Sequence, residues 1–190
     1  LKEKFDLIIN NGKIVLENSC IEGNLYIKDG KIASIGNDLY AEADEVIDAE
    51  GKYILPGGVD SHSHIWEPTA YDYREDFYTG SCTATSGGIT TLIEMPLSVP
   101  PVKDASSFEN RLKYAKKSIL DYALWGALID DALNNIEELH NLGCVAFKGF
   151  MSKASPEYPS SNDYVLLRSM QEISKVRNLV GLHAENSSII

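Results

Sequence analysis

After Pro56, five short apolar runs recur at a spacing that leaves few folds open. They are Gly58 to His62, Thr90 to Met95, Tyr122 to Ala127, Val145 to Phe150 and Leu179 to His183, and their starts lie 32, 32, 23 and 34 residues apart. A strand plus the helix that returns the chain to the same sheet takes about 30 residues, so this is the period of successive βα units. The stretches between carry helix signals. Ser106 and Glu109 form a capping box around Phe108 to Ser118, Gly143 closes Asn135 to Leu142, and Asp163 to Val176 carries Leu166, Leu167, Met170 and Ile173 at helical spacing. Strands joined in this way are parallel and covered on both faces. Two α/β architectures satisfy the pattern: a doubly wound open sheet, or about five of the eight strands of a (β/α)8 barrel, which needs roughly 250 residues.

Residues 1–55 have another texture. Short alternating runs (Phe5 to Asn10, Lys13 to Leu16, Asn24 to Lys28, Lys31 to Ile35, Tyr53 to Leu55) are separated by Asn11-Gly12, Asp29-Gly30 and Glu50-Gly51. Tight Gly turns between strand-length segments predict antiparallel hairpins. A module this small buries too little surface to be secure alone. The expected organisation is a β module over 1–55 and a βα-repeat domain over 56–190.

Composition removes several classes of function. With 17 Lys and Arg against 28 Asp and Glu the net charge is −11 at pH 7, so nucleic-acid backbones and anionic membranes are repelled over most of the surface. No run approaches the 18 or so apolar residues of a membrane helix, and Leu1 to Gly12 is not patterned like a secretory signal, which makes the cytoplasm the default location. Cys20, Cys82 and Cys144 are far apart and in no CxxC pair, and read as small buried hydrophobes. The first residue is Leu rather than Met, which predicts an excised or incomplete piece of a longer chain.

The chemistry concentrates at strand ends. In Pro56-Gly57-Gly58-Val59-Asp60-Ser61-His62-Ser63-His64, residues two apart share a face, so Asp60, His62 and His64 project together. Two imidazoles on one strand end can converge on a metal ion; the alternative is a pair of unrelated hydrogen-bonding histidines. His183 stands at the end of the fifth run. His140, among Glu137, Glu138 and Asn141, reads as a solvated helix residue. Lys148, in Val145-Ala146-Phe147-Lys148-Gly149-Phe150, places an ammonium inside an apolar strand, where it must find a partner or change its charge. A salt bridge would answer this. So would addition of carbon dioxide, which turns the amine into a carbamate with the charge of a carboxylate.

Together these segments resemble the cyclic amidohydrolases of the metal-dependent amidohydrolase superfamily, and within them the allantoinases. Gly57 to His64 matches a GxxDxHxH pattern. Thr79-Gly80 followed by Gly87-Gly88-Ile89-Thr90-Thr91 and Met95-Pro96-Leu97 resembles an allantoinase stretch. Phe147-Lys148-Gly149-Phe150 is similar to the strand bearing the family's carboxylated lysine, and His183-Ala184-Glu185-Asn186 to its fifth-strand histidine segment.

The resemblance implies a partial (β/α)8 barrel preceded by part of a small β-sandwich. It implies two divalent metal ions, zinc first among zinc, cobalt, nickel, iron and manganese, with His62, His64 and His183 as ligands and carboxylated Lys148 as the bridge. Asp60 would orient strand-end groups, and Ser98, just after Met95-Pro96-Leu97, is a candidate substrate-binding residue. The family's proton-shuttling aspartate and a further histidine ligand have no counterpart up to Ile190, so no catalytic acid or base is assigned and the 190 residues alone are expected to be inactive. The implied reaction is hydrolysis of a cyclic amide, allantoin ahead of hydantoins, dihydropyrimidines and dihydroorotate, in a homotetramer. Ile65-Trp66 replaces the Leu-Arg pair with which dihydroorotases follow the HxH, and Pro68-Thr69 and Leu97-Ser98 depart from the usual allantoinase residues. The tract Trp66 to Phe77 is either a loop over the pocket or a solvated loop with a packed aromatic. A metal-free, dihydropyrimidinase-like scaffold is the alternative of a different class, but such relatives lose ligand residues that this chain keeps.

Overall fold

A computed structural model describes residues 3–37 and 41–190. The chain divides into two compact units, Leu1–Pro56 and Gly57–Ile190.

The first unit is one five-stranded sheet: β1 Glu3–Val15, β2 Cys20–Lys28, β3 Lys31–Gly36, β4 Ala41–Asp48 and β5 Tyr53–Ile54. The order is β3-β2-β1-β4, with β5 also on β1. Of the three Gly turns only Asp29-Gly30 closes a hairpin, between Lys28 and Lys31, while residues 16–19 close the one between β1 and β2. Asn11-Gly12, expected as a turn, lies inside β1. There Asn11 takes φ 55 and the register with β2 shifts between Ile9 and Gly12, so the left-handed residue makes a bulge instead of a reversal. Glu50-Gly51 joins two strands that are both parallel to β1, which the hairpin expectation also missed. Gly12 has to be glycine because a Cβ would meet the Ile54 side chain at 2.1 Å. Phe5 and Tyr26, with ring centroids 5.2 Å apart, centre a small core with Ile8.

In the second unit strands and helices alternate: β6 Gly58–Ser63, α1 Phe77–Ser86, β7 Ile89–Glu94, α2 Ala105–Ala115, β8 Asp121–Ala127, a 3₁₀ turn Asp130–Asn135 with α3 Ile136–Leu142, β9 Ala146–Phe150, α4 Asp163–Lys175 and β10 Leu179–His183. The strands are parallel, in the order β10-β9-β8-β7-β6. Each strand therefore pairs with the one before it. A doubly wound sheet reverses its strand order at a switch point, and this sheet has none, which is the winding of a (β/α)8 barrel. Phe77, Leu92, Phe108, Leu139 and Phe147 anchor the core between sheet and helices.

Several local expectations are corrected. The box that starts α2 is Asp104 with Ser107, whose amide donates to the Asp104 carboxylate at 2.8 Å, because the helix begins at Ala105 and Ser106 is already inside it. In α4 the buried residues are Val165, Ser169 and Ile173, while Leu167 and Met170 are exposed. His140 is half-buried, with Nδ1 3.0 Å from Asn178 Nδ2. Cys144 is buried but Cys20 is exposed. Gly143 does end α3, at φ 111. Among the described residues no helix is long and apolar enough to cross a membrane.

Candidate metal centre

The approach of β6 to β7 sets the site. A Cβ on Gly57 would lie 2.2 Å from the Thr90 side chain, and one on Gly58 2.8 Å from Ile89 Cδ1, so the strand bearing the histidines lies close against its neighbour and a larger residue would make Thr90 or Ile89 shift. Asp60 Oδ1 accepts the His62 amide at 3.0 Å and fixes the strand end. Nε2 of His62 and Nε2 of His64 then face each other at 3.2 Å. At that distance one ring donates a proton to the other, and a cation in place of that proton would leave both nitrogens as ligands. Burial, then the neighbouring His62 and Lys148 charges, press His64 down to about 4, and burial followed by Lys148 lowers His62. His64 Nδ1 is buried without a partner.

Lys148 sits in β9, where all five residues are buried. Its carbonyl accepts from the Leu128 amide at 2.7 Å and the Tyr158 hydroxyl at 2.6 Å, which pins the backbone. The side chain is 4% exposed, and no carboxylate among the described residues pairs with it. Its Nζ lies 5.1 Å from the Phe150 ring centroid, and burial lowers its proton affinity.

His183, at the end of β10, has Nε2 2.9 Å from Glu185 Oε1, and Glu185 Oε2 accepts from Ser152 Oγ at 2.9 Å. The His183 and Ser152 bonds hold the Glu185 carboxyl below its ordinary range. His62, His64, Trp66, Leu97, Phe150 and His183 line a single open cavity of about 460 Å³. The three strand-end histidines thus share one space, with the Lys148 charge felt by two of them. Among the described residues no group of three or more His, Cys, Asp or Glu is close enough to hold a metal by itself.

Ser98 is elsewhere. It is buried, its hydroxyl donates to Pro100 O at 2.8 Å, and it lines a separate pocket of about 60 Å³ with Trp66, Tyr71, Leu97, Val99 and Tyr158. Trp66 lines both spaces and packs edge-on against Tyr71, with the Arg74 guanidinium 4.8 Å from the Tyr71 ring. The Trp66 to Phe77 tract therefore has both features weighed for it: packed aromatics, and a wall of the cavity.

Sequence reasoning missed the buried pair Glu94 and Arg111, whose Oε1 and Nη2 are 2.7 Å apart. Burial pushes the Glu94 carboxyl up to about 7, against the pull of Arg111 and its hydrogen bonds. An acid closing the otherwise apolar run Thr90 to Met95 was the available signal. Glu185 was likewise visible only as part of a motif.

The sequence is 40% identical over 195 residues to the allantoinase of Bacillus licheniformis, covering 97% of this chain and 43% of that relative. It is 38% identical over 188 residues to the allantoinase of Rubrobacter xylanophilus, covering 97% and 41%. Among solved structures, the L-hydantoinase (dihydropyrimidinase) from Arthrobacter aurescens superposes with a TM-score of 0.91 at 36% identity, over 97% of this chain and 42% of that one. The chain belongs to the allantoinase-like cyclic amidohydrolases. It spans less than half the length of these relatives. No family model matches it. A D-hydantoinase structure also superposes, with a TM-score of 0.85 at 33% identity, over 97% of this chain and 41% of that one. The fold of this allantoinase-like chain is accordingly a curled part of a (β/α)8 barrel with a separate sheet of the sandwich.

Proposed function

We propose that the protein hydrolyses the ring amide of a cyclic amide, allantoin first, at a pair of divalent metal ions held by His62, His64, His183 and a carboxylated Lys148. The observation that carries this reading is the pairing of two imidazole nitrogens at 3.2 Å, together with a buried lysine that pairs with no carboxylate among the described residues. As an ammonium, Lys148 would repel a cation. Its lowered proton affinity raises the share of free amine, the form that adds to carbon dioxide: an N–C bond forms, one proton leaves to water, and the side chain becomes an anion. Three imidazoles and such an anion suit zinc and its neighbours. When bound, the metals supply Lewis-acid polarisation of the ring carbonyl and acidify water.

The chain's own residues prepare this. Asp60 fixes the His62 main chain, Glu185 holds His183 by its ring nitrogen, and Trp66 and Leu97 form part of the cavity wall. Zinc as the resident ion and a homotetramer belong to the same reading and rest on the family resemblance alone; a cytoplasmic location is the default that the sequence pattern sets.

A second substrate class has its own support. The small pocket beside the cavity is walled by Trp66, Tyr71, Leu97, Val99 and Tyr158, which suits an apolar ring substituent better than the polar ureido group of allantoin. Hydantoins carrying an alkyl group are therefore the runner-up. Specificity constants for allantoin, a 5-alkylhydantoin, dihydrouracil and dihydroorotate decide the order, and a clear preference for dihydroorotate refutes it. Purified whole protein with no zinc, cobalt, nickel, iron or manganese would refute the metal centre.

A further inference from the structure

We propose that Glu94 and Arg111 are positioning residues for the metal centre, holding the main chain on both sides of His64. The inference rests on the metal reading above and adds to it the device that aims one ligand.

Arg111 is the largest fully buried side chain of the described residues, and Glu94 is as deeply enclosed. As a stabilising element the pair makes little sense. Desolvation of two buried charges commonly cancels their attraction, and apolar residues of similar volume do as well or better. Arg111 moreover leaves Nε and Nη1 buried without a partner among the described residues. Its useful contacts are made through Nη2, with Phe77 closing the far side of the guanidinium, 4.8 Å from Cζ to the ring centroid.

Those contacts converge on Ser63-His64-Ile65. Glu94 Oε2 accepts from Ser63 Oγ at 2.8 Å, and Glu94 Oε1 accepts from the Ile65 amide at 2.7 Å. Arg111 Nη2 donates to Ile65 O at 2.9 Å and, at 2.7 Å, to the same Oε1. The amide of Met95, next after Glu94, donates to Ser63 O at 3.0 Å. Both neighbours of His64 are thus tied to β7 and α2, and His64 projects from between them. His62 is held by a carboxylate two residues away on its own strand; His64 is held by groups 30 and 47 residues distant. A ligand aimed through its backbone loses its place when the backbone is released, and outer partners of metal ligands are commonly worth about 10- to 100-fold in affinity.

The test loads the whole protein with Co²⁺ against a competing chelator and records the visible cobalt spectrum. Glu94→Gln should weaken cobalt binding about 10- to 100-fold and change the spectrum. Ser63→Ala keeps the ion pair and removes one hydrogen bond, and should weaken binding about 2- to 10-fold; it decides the matter if Glu94→Gln does not fold. Leu139→Ala, fully buried in α3 away from the site, should lower the melting temperature and leave cobalt affinity unchanged. The clamp is overturned if the parent takes up cobalt and the folded variants bind it as tightly, or if Leu139→Ala weakens binding as much as they do. A parent that takes up no cobalt overturns the metal reading and the clamp with it.

Discussion

Lys148→Met should make the metal-free protein more stable and the metal-loaded protein less so. Lys148 is 4% exposed in a strand buried along its whole length, and among the described residues the ring contact of its ammonium is with Phe150 at 5.1 Å. Losing that contact costs about 0.5 to 2 kcal/mol. Against it stands the charge that no longer has to be buried unpaired: replacing buried ions by apolar groups of similar volume gains about 1 to 4 kcal/mol. Methionine has nearly the length and flexibility of lysine and fills the same space. Taking the middle of each range, the net gain is about 1 kcal/mol, which at roughly 3 °C per kcal/mol for a chain of this size raises the melting temperature by about 3 °C. The assay is thermal unfolding by circular dichroism in excess chelator, repeated with zinc. In zinc the order should reverse, because the parent gains stability by binding the ion and the variant does not. A Lys148→Met protein that melts below the parent in chelator would show that the ammonium has a good partner, and the carbamate argument would lose its premise.

Two further outcomes follow from packing. The Cys144 thiol is buried and pushed up to about 12 by burial, whereas Cys20 is exposed, so a disulfide reagent at pH 8 should modify Cys20 at once and Cys144 only after denaturant is added; equal rates would refute the placement. Gly181→Ala would put a Cβ 2.8 Å from the Trp125 ring and should cost about 1 to 3 kcal/mol, while Gly87→Ala, at φ −90 with nothing nearer than 3.4 Å, should be neutral or gain up to about 1 kcal/mol in denaturant melts; the reverse order would show Trp125 to be misplaced.

What the sequence made legible was periodic or local. The βα period was visible because parallel strands must be apolar and the returning helices set their spacing, and His62 and His64 were visible because two residues on one strand face need no tertiary information. Signals fixed by backbone conformation misled where one conformation serves two purposes. Asn11-Gly12 has the composition of a hairpin turn, but the left-handed Asn11 only bulges β1. β4 was overlooked because Ala41 to Asp48 is acidic and largely exposed, with its pairing decided by the edge of β1 rather than by its own side chains. Glu94 and Arg111 are 17 residues apart on different elements, and only the fold shows that both serve Ile65.

The strand order has a bearing on synthesis. In the parallel sheet each strand after β6 pairs with the one made just before it, with paired residues 31 or 32, 30, 21 and 33 positions apart from β6 through β10. At roughly 5 to 20 residues per second a ribosome delivers each new partner within about 1 to 7 seconds. Until then the latest strand is an open edge. When that strand is β9, its lysine is still reachable by water, and an inward-pointing charge on an unpaired edge is what keeps a strand from joining a stranger. The residue most awkward in the finished sheet should thus disfavour chance pairing while the sheet is being made.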